Sequence, residues 1–128
     1  MDPKDRGLDF EERSGQYVRR NVLPSRQGWG PVEKQESVTK GRIDYTSYNP
    51  ETKHLAVVEV KDKRALTRQD LQQVSRQTKG LAYDSIGNQL DFRKIEKTIV
   101  VSPKTTVTPE IRTEAHARHI RIRRRRTY

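Results

Sequence analysis

The feature that most constrains this fold is the run Leu-Ala-Val-Val-Glu-Val-Lys at residues 55–61, a short apolar segment that ends in two charges. Apolar and β-branched runs of this length are typical of a buried β-strand. Side chains two apart on a strand share a face, so Glu59 and Lys61 continue the row of Leu55 and Val57. Charges in an apolar row are costly unless they have partners. The sequence therefore predicts a buried strand whose end carries functional side chains.

Composition restricts the core to a few such segments. Of the 128 residues, 30% are hydrophobic and 34% are charged, which fits a single domain over 1–128 with a concentrated core. The sequence contains no cysteine, which excludes disulfides and thiolate zinc sites. Because no apolar run approaches the length of a bilayer span and the first ten residues have no apolar signal segment, we expect no membrane span and no signal peptide.

Hydrophobic periodicity and turn residues predict a series of helices and strands. The predicted order is helix 8–22, strands 32–38, 41–48 and 54–61, helix 67–84, strand 97–102, helix 108–119 and strand 119–125. Thr67 is the expected N-cap of the second helix, with Asp70 at the capping-box position and Gly80 at its end or at a break. This order predicts an α/β domain of three layers, in which helices flank a mixed sheet.

Asp44 lies on the strand before Glu59, and one hairpin register brings the two together. That register places Tyr48 opposite Leu55 and leaves a loop over 49–54. Two carboxylates on adjacent strands are oxygen ligands of the kind that Mg²⁺ prefers. A metal held there would activate a water and polarise a phosphate oxygen, and Lys61 would orient the water or neutralise charge on the phosphate.

Asp44 followed by Glu59-Val60-Lys61 resembles the D…ExK signature of the PD-(D/E)XK nucleases, the restriction-endonuclease-like superfamily. The order of elements over about 7–102 is also similar to the core of that superfamily, αβββαβ. The resemblance implies a three-layer restriction-endonuclease-like core, followed over 103–128 by a helix and a basic edge strand. It also implies a Mg²⁺- or Mn²⁺-dependent endonuclease. Ile43 replaces the proline that often precedes the family's aspartate and leaves the ligand itself intact.

The same resemblance implies further site residues. Glu11 is expected as a third metal ligand beside Asp44 and Glu59, in preference to Glu12, because it lies nearer the apolar stripe of the first helix. Gln77 is expected to line the catalytic cleft, and Gln73, four residues earlier on the same helix face, is its alternative. The simpler interpretation is that these are solvated side chains, the glutamates being favoured at a helix start.

The net charge of +10 favours a polyanionic partner, and we expect nucleic acid, with DNA favoured over RNA. Arginine suits phosphate contacts because its guanidinium is planar and always charged. Docking of an acidic protein and simple solubility are the alternatives for the basic C-terminal strand. The predicted nucleic-acid contacts are Lys63, Arg64, Arg121, Arg123, Arg124, Arg125 and Arg126.

Residues 41–77 also resemble the C-terminal nuclease domains of bacterial polymorphic toxins, which often combine a G-R-hydrophobic-D strand, a short hairpin, an hEhK strand and a glutamine-bearing helix. This resemblance implies delivery from a larger secreted parent protein into the cytoplasm of a target bacterium. It also implies a cognate immunity protein with an acidic surface. The alternatives are a structure-specific DNA resolvase or repair nuclease, a tRNA-cleaving toxin and, from another class, a non-catalytic basic nucleic-acid-binding module.

Overall fold

A computed structural model describes residues 10–39 and 41–127, which form a mixed β-sheet with helices against both faces. Residues 10–13 are helical, and helix α1 (Gly15–Tyr17) continues as a π-helical turn over Val18–Val22. A short 3₁₀ turn, Ser25–Gln27, precedes the sheet. The later elements are β1 (Glu33–Val38), β2 (Gly41–Asn49), β3 (His54–Lys61), α2 (Arg68–Gly87), β4 (Lys94–Val101), α3 (Pro109–Ala117) and β5 (Ile120–Arg124).

The five strands of the sheet lie in the order β1-β2-β3-β4-β5. The first three form an antiparallel meander, whereas β3, β4 and β5 run parallel to one another. Helices α2 and α3 provide the two crossover connections that parallel neighbours require. The predicted α/β fold class and element order are confirmed, and β5 is an edge strand as expected. None of the helices within residues 10–39 and 41–127 combines the length and the apolar character that a bilayer span requires.

Strand β3 contributes to both hydrophobic layers, which explains why nearly every position of 55–60 is apolar. Leu55 and Val57 pack against α2 in one layer. The other layer contains Ala56, Val58 and Val60 of β3, and the N-terminal helical segment, residues 10–22, covers it. A central strand buried on both faces needs a continuous apolar run. Other members of the second layer are Phe10, Val18, Leu23, Trp29, Tyr45 and Val100.

Helix α2 does not end or break at Gly80, contrary to the sequence prediction, and continues to Gly87. Gly80 is buried and Leu81 packs in the core, so tertiary packing outweighs the roughly 1 kcal/mol intrinsic cost of a helical glycine. The hairpin turn is also shorter than predicted, at 50–53, because Asn49 pairs with His54. The predicted helix start at residue 8 lies outside the described residues.

The start of α2 follows the predicted capping box. Thr67 Oγ1 accepts a hydrogen bond from Asp70 N, and Thr67 N donates to Asp70 Oδ2 over 2.8 Å. We expect Thr67→Ala to lower the free energy of unfolding by about 1 kcal/mol, because an orphan amide of the first turn loses its acceptor. Urea unfolding followed by circular dichroism measures this change.

Thr113→Ala is the matched control for this prediction. Thr113 is exposed on α3, and its hydroxyl donates only to Pro109 O within the same helix. We expect its substitution to change stability by less than about 0.5 kcal/mol. Equal losses in the two variants would show that the cap contributes nothing specific.

Candidate active site

The predicted register of β2 and β3 is confirmed. Tyr48 pairs with Leu55, and the paired residues continue as far as Tyr45 and Val58. Continuing the same register by one residue brings Asp44 to Glu59. The sheet therefore presents two acidic side chains where main-chain pairing between these strands stops.

Side chains replace the main-chain ladder at this point. Asp44 N donates to Glu59 Oε1 over 3.1 Å, and Val60 N donates to Asp44 Oδ2 over 2.8 Å. Each carboxylate is thus held by a main-chain amide of the opposite strand. Hydrogen bonds from amides to carboxylates are among the stronger ones in proteins, so the positions of both oxygens are well defined.

The backbone around Asp44 is irregular on its other side as well. Ile43 and Tyr45 are two apart on β2, yet they pack in opposite hydrophobic layers, so strand alternation breaks at Asp44. On β1, Gln35 lies opposite Asp44 and has a left-handed backbone, with φ of 54°. This conformation is uncommon outside glycine and is typical of functional segments.

Gln35 connects the distorted strand β1 to Glu11, a role that no sequence pattern predicted. Its Nε2 donates to Glu11 Oε1 over 3.1 Å. A glutamine in a short polar strand belongs to no hydrophobic pattern. Its role depends on a backbone with positive φ, which the sequence does not reveal. Glu11 is 5% exposed, as its place near the apolar stripe predicted, whereas Glu12 is exposed and pairs with Lys34.

The acidic groups strongly influence one another. Glu59 is 3% exposed; burial, followed by the negative charge of Asp44, raises its pKa to about 9, and Lys61 only partly opposes this. Burial and then the charge of Asp44 also raise the pKa of Glu11, while Gln35 and Arg42 oppose the rise. Without a cation, Glu59 therefore holds a proton at neutral pH.

Helix α2 contacts this site through two glutamines. Lys61 Nζ donates to Gln73 Oε1 over 2.8 Å and lies 4.0 Å from Asp70 Oδ1. Gln77 Nε2 donates to Arg42 O over 2.8 Å, two residues before Asp44, and its Oε1 is buried without a hydrogen-bond partner. The structure therefore brings Gln73 to the lysine, whereas Gln77 holds the main chain of β2.

The Asp44–Glu59 pair suits a hard divalent cation. Mg²⁺ is commonly bound through one or two carboxylates and retains several waters. Two buried carboxylates that repel each other gain from a cation placed between them. Within the described residues, no group of three or more His, Cys, Asp or Glu side chains is positioned to hold a metal ion. The two strands supply Asp44 and Glu59 as ligands, and Glu11, whose Oε1 accepts from Gln35 and whose charge interacts with that of Asp44, is a candidate for a third.

Many of the basic residues predicted to contact nucleic acid have partners within the chain. Arg64, Arg121, Arg124 and Arg126 are exposed. Four of the seven side chains, including that of Arg124, donate to protein acceptors; these bonds are Lys63 Nζ to Asp70 Oδ2, Arg123 Nη1 to Asn21 O, Arg124 Nη1 to Ser102 O and Arg125 Nη1 to Ser14 Oγ. Much of the basic C-terminus therefore contributes to the fold.

No protein-family model matches this chain, and no curated protein matches it. Solved structures do match. A repair endonuclease from Pyrococcus abyssi is 15% identical with a TM-score of 0.65, and the match covers 92% of this chain and 47% of that one. EndoMS in an EndoMS–dsDNA complex is 14% identical with a TM-score of 0.64, covering 92% and 45%.

SfsA from Pyrococcus furiosus, in complex with Ca²⁺, is 16% identical with a TM-score of 0.53, and the match covers 91% of this chain and 56% of SfsA. The chain thus spans about half the length of these structures. At such low identity the similarity shows the fold. The nuclease-like fold that the sequence resemblance implied is therefore confirmed.

The raised pKa of Glu59 leads to a prediction about stability. Below its ordinary pKa of 4.5, Glu59 is protonated in both the folded and the unfolded chain; between that value and about 9, only the unfolded chain loses the proton, so folding stability falls as pH rises. Glu59→Gln removes this cost and retains an oxygen for Asp44 N. We expect it to raise the metal-free free energy of unfolding at pH 7 by on the order of 2 kcal/mol.

The measurement is denaturant unfolding in EDTA at several pH values, with Glu12→Gln as the control. Glu12 is exposed, so its neutral analogue should change stability by less than about 0.5 kcal/mol. The gain from Glu59→Gln should shrink as the pH approaches 4. A Glu59→Gln chain no more stable than the parent chain at pH 7 would contradict the assignment of a buried, proton-holding carboxyl.

Proposed function

We propose that this chain is a metal-dependent nuclease whose active site is the Asp44–Glu59 pair together with Lys61. The observation that carries the proposal is that two buried carboxylates are each fixed by an amide of the other's strand, where main-chain pairing of β2 and β3 stops. A buried acidic pair with a perturbed pKa is typical of functional sites. The fold shared with two endonucleases supports the same conclusion.

Each proposed site residue has a defined task. Asp44 and Glu59 would hold Mg²⁺ or Mn²⁺, with Glu11 as a candidate third carboxylate. When bound, such a cation supplies an activated water and a Lewis acid for a phosphate oxygen. Lys61, held by Gln73, offers its ammonium to the charge that develops on the scissile phosphate.

We propose DNA as the substrate. The net charge of +10 suits a polyanion, and one of the structural neighbours is described in complex with double-stranded DNA. Exposed arginines such as Arg121 and Arg126 provide phosphate contacts, which position a nucleic acid without reading its sequence. Cleavage with little sequence specificity is the result we expect.

The active-site assignment predicts that Asp44→Asn, Glu59→Gln and Lys61→Met each reduce Mg²⁺-dependent cleavage by at least about 100-fold, because each removes a metal ligand or the phosphate-facing charge. Plasmid DNA is incubated with purified protein, with and without EDTA, and the products are resolved on gels. Circular dichroism verifies that each variant is folded.

Glu110→Gln and Lys79→Met are matched controls, because both residues are exposed on helices away from the carboxylate pair. Both should cleave at the parent rate. Undiminished cleavage by any one of the three site variants would remove that residue from the active site. Cleavage that persists in EDTA would overturn the metal requirement.

Substrate class is tested by competition. Equal masses of fluorescent DNA and RNA of matched sequence are digested in one tube, and we expect DNA to be consumed first, in line with the DNA-bound neighbour. Preferential loss of RNA would replace the DNase assignment with that of an RNA-cleaving nuclease. Salt-sensitive binding without cleavage of either would favour the non-catalytic binding module.

For the biological role, we propose an antibacterial toxin nuclease domain, delivered from a larger secreted protein into the cytoplasm of a target bacterium. The resemblance of residues 41–77 to polymorphic toxin nucleases supports this, and the basic surface suits an immunity protein with an acidic face. Expression in a bacterial cytoplasm should degrade the chromosome and stop growth, while the Asp44→Asn chain should be tolerated.

The second candidate role is DNA repair, favoured by the neighbour described as a repair endonuclease. A repair or junction-resolving nuclease prefers a particular DNA structure. Digestion of matched linear, mismatched and four-way-junction duplexes separates the two roles. Strong preference for a mismatch or junction, with no growth arrest on expression, would replace the toxin role with repair.

A further inference from the structure

Basic side chains at the C-terminal end of the described chain contact its N-terminal helical segment. Arg125 Nη1 donates to Ser14 Oγ over 3.0 Å, and the Arg125 guanidinium lies 5.1 Å from the centre of the Phe10 ring. Arg123 Nη1 donates to Asn21 O over 2.8 Å in the π-helical turn. The C-terminal segment thus contacts a helical segment that is distant in the sequence, since 111 positions separate Arg125 from Ser14.

The two partners of Arg125 lie on either side of Glu11 in the sequence, and both are buried. Phe10 is 2% exposed and Ser14 is fully buried. Ser14 N donates to both Phe10 O and Glu11 O, over 3.0 and 3.2 Å, so the same turn includes all three residues. A guanidinium over an aromatic ring is attracted to the ring face, and this attraction strengthens when the pair is removed from water. Arg125 therefore restrains the turn that carries Glu11.

Further hydrogen bonds hold Arg125 and the Glu11 turn in place. Arg125 N donates to Val101 O over 3.0 Å, which ties the residue to the end of β4. From the sheet, Tyr45 OH donates to Glu11 O over 2.7 Å. The Glu11 turn is therefore held from β2 by a tyrosine and from the C-terminal segment by an arginine.

We propose that Arg125 is a positioning residue, which holds the Glu11 turn against the sheet so that the Glu11 carboxylate faces Asp44. The inference rests on the proposed function, because the placement of Glu11 matters only if the acidic site binds a metal. It replaces the sequence-based assignment of Arg125 to nucleic acid. To contact a phosphate, the side chain would have to leave both Phe10 and Ser14.

Arg125→Ala tests this with two independent measurements. In the metal-free chain, amide hydrogen exchange of residues 11–18 should speed up, because the turn loses its contact with the C-terminal segment. In the cleavage assay, the Mg²⁺ concentration for half-maximal rate should rise about tenfold. This is the low end of the roughly 10- to 100-fold loss of metal affinity that follows removal of a group that orients a metal ligand. The slope of DNA affinity against salt should stay unchanged, since no phosphate contact is lost.

Arg112→Ala is the matched control, because Arg112 is exposed on α3 and takes no part in the site. It should leave amide exchange at 11–18 and the Mg²⁺ requirement at their parent values. Ser14→Ala, which removes only the hydrogen-bond acceptor, should shift both in the same direction as Arg125→Ala. If Arg125→Ala fails to fold, Arg125→Lys keeps a charge and a donor, and its Mg²⁺ requirement should lie between those of the parent and Ser14→Ala chains.

A double-mutant cycle with Glu11→Gln decides whether Arg125 acts through Glu11. If it does, Arg125→Ala causes no further loss in the Glu11→Gln background. Additive losses would overturn the proposal. So would a plot of DNA affinity against salt whose slope falls by about one while amide exchange stays unchanged, because that result indicates a lost phosphate contact. If the parent chain does not cleave at all, the proposed function fails, and amide exchange still decides whether Arg125 holds the Glu11 turn.

Discussion

The arrangement of this domain depends on two hydrogen bonds that cross between β2 and β3 from main-chain amides to carboxylates. Asp44 N and Val60 N would be orphan donors where the ladder stops, and an unpaired buried amide costs about 1–3 kcal/mol. The carboxylates of Glu59 and Asp44 accept these hydrogens over 3.1 and 2.8 Å. The side chains therefore provide acceptors for the two main-chain amides, and the amides hold the two side chains in position. This reciprocity places two acidic side chains next to each other inside the protein, and in the absence of a cation Glu59 keeps its proton.

The same break in the ladder recruits groups from other parts of the chain. At Gln35, β1 takes a left-handed conformation, which costs of order 1–3 kcal/mol for such a residue. The side chain then reaches Glu11, whose own pKa is raised by burial and by the charge of Asp44. Strain in an edge strand and repulsion between acids are both destabilising. A fold tolerates such costs where a functional site needs the negative charge, and here both costs occur around Asp44.

The positive charge of the chain has two distinct uses in the structure. Some arginines, such as Arg121 and Arg126, face solvent and are available to a polyanion. Others satisfy carbonyl and hydroxyl groups inside the fold, as Arg124 does at Ser102 O. Net charge alone does not separate these uses, because it sums over side chains regardless of their partners. It predicts the class of partner without identifying the contacting residues.

The sequence by itself determined the features that local pattern controls. The apolar run 55–61 specified a buried strand, a joint site of Asp44 and Glu59 required one particular hairpin register, and Thr67 with Asp70 specified a helix start. Tertiary structure alone decided that α2 continues through Gly80, that Gln73 reaches Lys61, and that Arg125 stacks on Phe10. Local patterns act over one or two turns of chain, whereas these outcomes depend on packing between segments distant in sequence.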